Sequence, residues 1–282
     1  MAADGVTVWA DGKVLPADDA MITVMDHGFT VGDGVFETCK VVGGEVFALG
    51  RHLGRLARSA AVLRLVCPAE QALRTAVVDL MDAAGPVDLG RLRLTLTGGP
   101  GPLGSGRDEA DPTLILAVSP SSPWPERIAV VTVPWTRNEC SAVAGAKTTS
   151  YAENVVALAE AHDRGAHEAL LTNTRGLVCE GTGSNVFVER DGVLVTPPLR
   201  SGCLAGITRE LFLEWAAADG LPVTEDDVTP RELAQAPEVL LTSSTRDVQH
   251  VAELDGAPVP GTALGNAAVE LFARRSRERT DP

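Results

Sequence analysis

Lys147 is one of three lysines among 282 residues in a chain that otherwise carries its positive charge on arginine, and it stands in Gly145-Ala146-Lys147-Thr148-Thr149-Ser150-Tyr151, ahead of an expected helix. A primary amine condenses with a carbonyl to form an imine, which a guanidinium cannot do. Lys13 follows the Asp11-Gly12 turn and Lys40 precedes Gly43-Gly44, where charges ordinarily mark hairpin edges. A second candidate is Glu180, followed by Gly181 and Gly183 just before the apolar run Asn185-Val186-Phe187-Val188. A carboxylate there can keep a ring nitrogen protonated, and the glycines admit a flat ring or a second backbone; the competing reading is a solvated surface turn. A third is Gly202-Cys203-Leu204-Ala205-Gly206-Ile207-Thr208, which leads into a helix. The amides of Ile207 and Thr208 are then first-turn donors at the positive end of the helix dipole, suited to an anion such as phosphate. The Thr208 hydroxyl and Ser243-Ser244-Thr245 offer further donors of the same kind, although a glycine before a helix is also a common plain loop. Arg55 has the planar fork that suits phosphate, but with Arg51 and Arg58 on the same helix it reads equally as a solvated face. Amine, acid and anion cup together describe the needs of a phosphorylated, electron-withdrawing aldehyde cofactor.

The elements that must position these groups follow from periodicity. Val35–Val42 and Glu45–Leu49 flank Gly43-Gly44 as a hairpin. Helices are predicted over 51–65, with Leu53, Leu56, Ala60 and Leu63 at helical spacing, and over 70–84. Residues 91–97 alternate as a half-buried strand, 98–106 form a glycine-proline loop, and 113–119 return as a strand. Three prolines within 119–125 favour an extended connector. Beyond it, strands are predicted at 128–133, 169–172, 184–189, 193–196 and 239–243, helices at 151–164 and 208–218, the latter burying Leu211, Phe212 and Trp215, and a hairpin at Asp255-Gly256. The expectation is an α+β chain in two domains: a small N-terminal α+β domain, 1–120, and a larger C-terminal domain, 121–282, that binds the cofactor.

A content of 45% hydrophobic and 22% charged residues is that of a folded chain, with a disordered composition only over 274–282. The net charge of −14 argues against nucleic acid or an anionic membrane as principal partner, so an anionic ligand must meet a local cluster. The N-terminal residues carry no targeting pattern, and no run approaches the roughly twenty apolar residues of a membrane span; a cytoplasmic enzyme is expected. The five cysteines are scattered, without a Cys-x-x-Cys pair, and read as core or near-core thiols. His162 and His167 have no ligand partners at useful spacing. No metal is expected.

Five ordered strings, Asp26–Thr38, His52–Leu56, Lys147–Asn154, Glu180–Asn185 and Ser201–Arg209, resemble the class IV aminotransferase family, the fold-type IV enzymes that use pyridoxal 5′-phosphate. The resemblance implies a two-domain fold of the D-amino-acid aminotransferase type with the cofactor between the domains, and a homodimer. It implies that Lys147 is the Schiff-base lysine, that Glu180 partners the pyridinium nitrogen, and that Arg55, Ile207, Thr208 and Thr245 hold the phosphate, with Tyr151 beside the ring. Arg107, in the glycine-proline loop, stands where relatives present an arginine to a substrate carboxylate, and reads otherwise as a solubility residue. The substrate is expected to be a small molecule, an amino acid or aminodeoxychorismate. The strings around Lys147 and Glu180 look most like 4-amino-4-deoxychorismate lyases, which release pyruvate and 4-aminobenzoate. Glu37-Thr38 and Gly98-Gly99 depart from that pattern toward D-amino-acid transaminases, and Thr38 replaces a glycine usual in branched-chain enzymes. The lyase is therefore the first expectation, a D-amino-acid or related transaminase the second, and a branched-chain transaminase the third.

Overall fold

The computed structural model describes residues 5–108 and 111–282; the first four residues, on which part of the N-terminal reading rests, lie outside the described residues. Two compact units are present, the first holding the chain up to Pro123 together with Ala146–Ser150 and Asp281, the second holding Trp124–Gly145, Tyr151–Thr280 and Pro282.

The first unit contains β1 (Thr7–Ala10), β2 (Lys13–Pro16), α1 (His27–Thr30), β3 (Gly34–Val42), β4 (Glu45–Val46), α2 (Leu49–Val62), α3 (Glu70–Ala84), β5 (Leu89–Thr97) and β6 (Leu114–Pro120). Its strands form one antiparallel sheet in the order β2-β1-β6-β5-β3-β4. Asp11-Gly12 and Gly43-Gly44 all take positive φ, the left-handed pair that a tight two-residue hairpin turn requires. The alternation in β5 buries Leu92, Leu94 and Leu96 in a core shared with Leu53 and Leu56 of α2 and Leu73 and Leu80 of α3. Along β3, Val35, Cys39 and Val41 join that core, and Glu37 has the same parity. Its polar side chain therefore needs partners inside the layer. The free edge of β3 is covered at one end by β4 and at the other by the segment that carries Lys147: Phe36 N–H donates to the Lys147 carbonyl at 2.9 Å, Thr149 N–H to the Gly34 carbonyl at 2.8 Å, and Val35 bridges Thr148. This pairing is why Lys147, far along the chain, groups with the first unit.

The second unit contains β7 (Arg127–Arg137), α4 (Ala152–Asp163), β8 (Glu168–Asn173), β9 (Val178–Gly181), β10 (Asn185–Arg190), β11 (Val193–Thr196), α5 (Ile207–Asp219), β12 (Val223–Glu225), α6 (Pro230–Gln235), β13 (Val239–Ser243), β14 (Asp247–Leu254), β15 (Ala257–Pro258) and α7 (Ala263–Glu278). The sheet runs β12-β11-β10-β13-β14-β7-β8-β9, with β15 on β14. Helix α4 makes the crossover between the parallel strands β7 and β8. Phe212 of α5 packs edge-on against Phe187 of β10, centroids 5.1 Å apart. Trp215 is only half-buried and tilts onto Phe272 of α7 at 5.0 Å.

Several expectations change. Residues 274–278, disordered by composition, are the last turn of α7, because Arg274 and Arg275 both pair with Asp219 while Leu271 and Phe272 anchor the helix in the core. Strand β14 escaped notice because Gln249 and His250 are buried in it and break the apolar pattern. Strand β7 extends past Val133 to Arg137, through a register shift between Thr132 and Thr136 that hides its period. Cys39, Cys179 and Cys203 are buried as expected of core thiols and Cys67 is half-buried, but Cys140 is exposed. Among the described residues no helix is long and apolar enough to cross a membrane.

Candidate active site

In the first unit the Lys147 backbone is fixed from two sides, by the β3 edge and by its N–H to the Ser59 hydroxyl of α2 at 3.1 Å. Its Nζ lies 4.2 Å from the centroid of the Phe36 ring, and the Arg93 guanidinium carbon lies 3.8 Å from the same centroid. Phe36 follows Val35 on β3 and so faces away from the helices; the ring is a platform for two cations.

Arg55 is not on a solvated face. Its Nε and Nη2 donate to Glu37 Oε1 and Oε2, both at 2.7 Å, and His52 Nδ1 lies 2.7 Å from Glu37 Oε2. Burial alone would raise the Glu37 carboxyl, but the Arg55 charge and its hydrogen bonds, with His52, hold it well below the usual carboxylate range. Burial pushes the His52 imidazole down, against the opposing pull of the hydrogen bond it donates to Glu37. A neutral imidazole beside a carboxylate that only accepts must carry its proton on Nδ1. The Cys39 thiol is raised well above its ordinary value by burial and by Glu37, with Arg55 and Lys147 opposing. It is an inert core group that senses both cations.

In the second unit Glu180 lies within β9, paired with Leu171 of β8, and not in a surface turn. Oε1 accepts from Arg137 Nε at 3.1 Å and Oε2 from the Leu204 N–H at 2.9 Å. Arg137 is delivered by the extended end of β7 and also reaches Asn154 Oδ1 of α4 at 3.2 Å; Asn154 in turn donates to the Thr182 carbonyl. Because Leu204 precedes α5, its contact ties Glu180 to the loop that opens that helix. Ile207 and Thr208 are buried in the first turn of α5, and the N-cap is Gly206, which has no side chain to satisfy the amides beyond it. A Cβ at position 206 would collide with Asn185 Oδ1, so a side chain there would displace the amide that donates to the Leu204 carbonyl at 2.9 Å. Thr242, cross-strand from Asn185, has a buried hydroxyl with no hydrogen-bond partner. Tyr151 is the N-cap of α4, and Thr245 lies in the turn between β13 and β14.

Arg107 is committed elsewhere within the first unit: its fork pairs with both oxygens of Asp33, and Nη1 donates to the Leu63 carbonyl at 2.8 Å. Sequence reasoning gave Phe36, Glu37 and His52 no site role beyond their place in the family-like strings, and passed over Arg93 and Arg137. The signal for Glu37 was available, since it shares strand parity with Val35, Cys39 and Val41, and Arg55 lies on the α2 face of Leu56 and Ser59.

Residues 34–254 match the model of the family described as amino-transferase class IV. The chain is 32% identical to a putative branched-chain-amino-acid aminotransferase of Methanocaldococcus jannaschii, over 97% of this chain and 96% of that one. It is 30% identical to a D-alanine aminotransferase of Listeria innocua, over 94% and 93%. The structure of a branched-chain amino acid aminotransferase of T.th. with pyridoxamine 5′-phosphate superposes with a TM-score of 0.88 at 27% identity, covering 95% of this chain and 93% of that one. This protein therefore belongs to the class IV aminotransferase family, and it is an enzyme with the fold-type IV architecture.

Proposed function

We propose that the protein is a pyridoxal-phosphate-dependent aminotransferase that moves the amino group of an amino acid to a 2-oxo acid. The observation that carries this reading is likeness over nearly the whole chain to aminotransferases, at 32% identity for the branched-chain relative and 30% for the D-alanine one. The lyase ranked first by sequence gives way to the transaminase alternatives, because the relatives named above are aminotransferases.

The residues present fit the cofactor: an amine anchored on a strand edge, an acid held by Arg137 and Leu204, an uncapped first helical turn, and an orphaned Thr242 hydroxyl cross-strand from the residue that touches Gly206. Lys147 would hold its aldehyde carbon, Glu180 its ring nitrogen, and Arg55, Ile207, Thr208 and Thr245 its phosphate, with Tyr151 beside the ring. When bound, it supplies a carbonyl for the substrate amine and a cationic ring that draws electron density from the substrate Cα. Nζ of Lys147 would take the proton from that Cα as a general base and, once protonated, would serve as the general acid of the step that completes the transfer. The Phe36 platform restricts where Nζ can go, and the Glu180 carboxylate supplies the negative charge that keeps a ring nitrogen protonated. Arg93, on the same aromatic ring, joins Arg107 as a group that would meet the substrate carboxylate, each with contacts of its own, to Thr95 and to Asp33. Met21, Val24 and Phe29, strongly exposed apolar residues ahead of β3, support a homodimer as part of this reading.

The test supplies L-leucine, L-valine or D-alanine with 2-oxoglutarate and follows glutamate formation, in parallel with aminodeoxychorismate alone. Glutamate formation that falls by more than about 10³-fold in Lys147→Ala is the expected result. Release of 4-aminobenzoate and pyruvate, with no amino transfer from any of the three donors, would overturn the proposal.

A further inference from the structure

We propose that Glu168 and Arg246 form a positioning pair that holds the turn 243–246, and through it the Thr245 hydroxyl, in the arrangement that takes the cofactor phosphate; this rests on the reading of Thr245 given above. The turn is closed by the Arg246 N–H on the Ser243 carbonyl at 3.2 Å, and Asp247 follows in the left-handed region at φ 59°. Ser244 and Thr245 are its tip. An arginine beside such a tip would ordinarily be solvated, yet the Arg246 side chain is only 7% exposed. Its guanidinium carbon lies 3.9 Å from the centroid of the Trp124 ring, Nη2 lies 3.1 Å from Glu168 Oε2, and Nη1 lies 3.4 Å from Gln249 Oε1.

Glu168, 1% exposed at the start of β8, has further partners. It accepts from the Thr182 N–H at 2.9 Å, from the Thr182 hydroxyl, and from the Ser184 hydroxyl at 3.1 Å. These belong to the turn directly after Glu180. One buried carboxylate thus fixes both the turn beyond the ring-nitrogen acid and the turn with a phosphate ligand. A buried ion pair adds little net stability over an apolar pair of the same volume. What it adds here is geometry, because a planar cation stacked on an indole and bonded at its edges cannot swing, and its backbone neighbour is Thr245.

The experiment measures equilibrium binding of pyridoxal 5′-phosphate and of pyridoxal, which lacks the phosphate, by visible absorbance of the full-length protein, with thermal midpoints in parallel. Arg246→Met keeps an unbranched apolar stem on Trp124. It is expected to weaken pyridoxal phosphate by about tenfold or more while pyridoxal changes less than about twofold. Arg246→Lys is expected to recover part of that loss, and Glu168→Gln to shift pyridoxal phosphate in the same direction as Arg246→Met. Equal weakening of both ligands, or of neither, would overturn the positioning role. A wild-type protein that takes up neither ligand would instead bring down the cofactor reading, and this pair with it.

Discussion

The two units use the same pair of residue types in opposite ways. In the first, Glu37 and Arg55 are both buried and meet fork to fork, with His52 on the second oxygen. In the second, Glu180 and Arg137 are 12% and 20% exposed and meet at one nitrogen, while Glu180 also accepts from the Leu204 amide and Arg137 also reaches Asn154 and Glu153. A carboxylate with no access to water is stable as an anion only because its cation is geometrically matched, and removing either member strands a buried charge. A carboxylate that meets its arginine at a single nitrogen, partly open to solvent, costs less to build and less to lose. The first arrangement is built into the α2–β3 packing of its unit, where it fixes the direction of Arg55; the second is partly open to solvent. The lesson is that an acid–arginine pair in such a site is read by burial and geometry, not by residue type.

The largest effect that would sharpen this contrast is on stability. Glu37→Ala should cost about 3–5 kcal/mol by chemical denaturation, since it leaves Arg55 buried without its anion. Glu180→Gln should cost no more than about 1 kcal/mol while amino transfer falls steeply. Equal stability losses in the two variants would break the comparison.

A smaller effect is on acid sensitivity. His52, held below its ordinary value of 6.5, binds its proton more readily in the unfolded chain, so stability should decline as pH falls below about 6.5. Glu37, held below its ordinary value of 4.5, contributes stability that is complete above that pH and is lost as pH falls further toward the folded value. Denaturation series at several pH values should therefore show two coupled losses in the same direction. In His52→Gln the upper one should vanish while the lower one remains. An unchanged upper limb in that variant would show that burial of the His52 imidazole plays no part in the acid response.

Much of the architecture was legible because it is local. The Asp-Gly and Gly-Gly turns, the 3.6-residue period of α2, and the alternation of β5 each depend on neighbours a few residues away. Strand β14 and the end of β7 were not, because buried polar residues and a register shift erase the period. The site divided the same way. The strings around Lys147, Glu180 and Gly206 announced an amine, an acid and an anion cup by residue type alone. That Arg55 is buried on Glu37, that Arg107 is spent on Asp33, and that Arg246 is locked between Trp124 and Glu168 could not be read along the chain.

The order of the residues was enough to point to the family and to most of the secondary structure that frames its motifs, since both show in side-chain type and short-range geometry, but it ranked elimination ahead of amino transfer. Only the packed structure decided which charges neutralise one another and which strand edge holds Lys147. Those outcomes depend on long-range pairing, such as that of Lys147 with Phe36, and on which carboxylates lose water when the layers close.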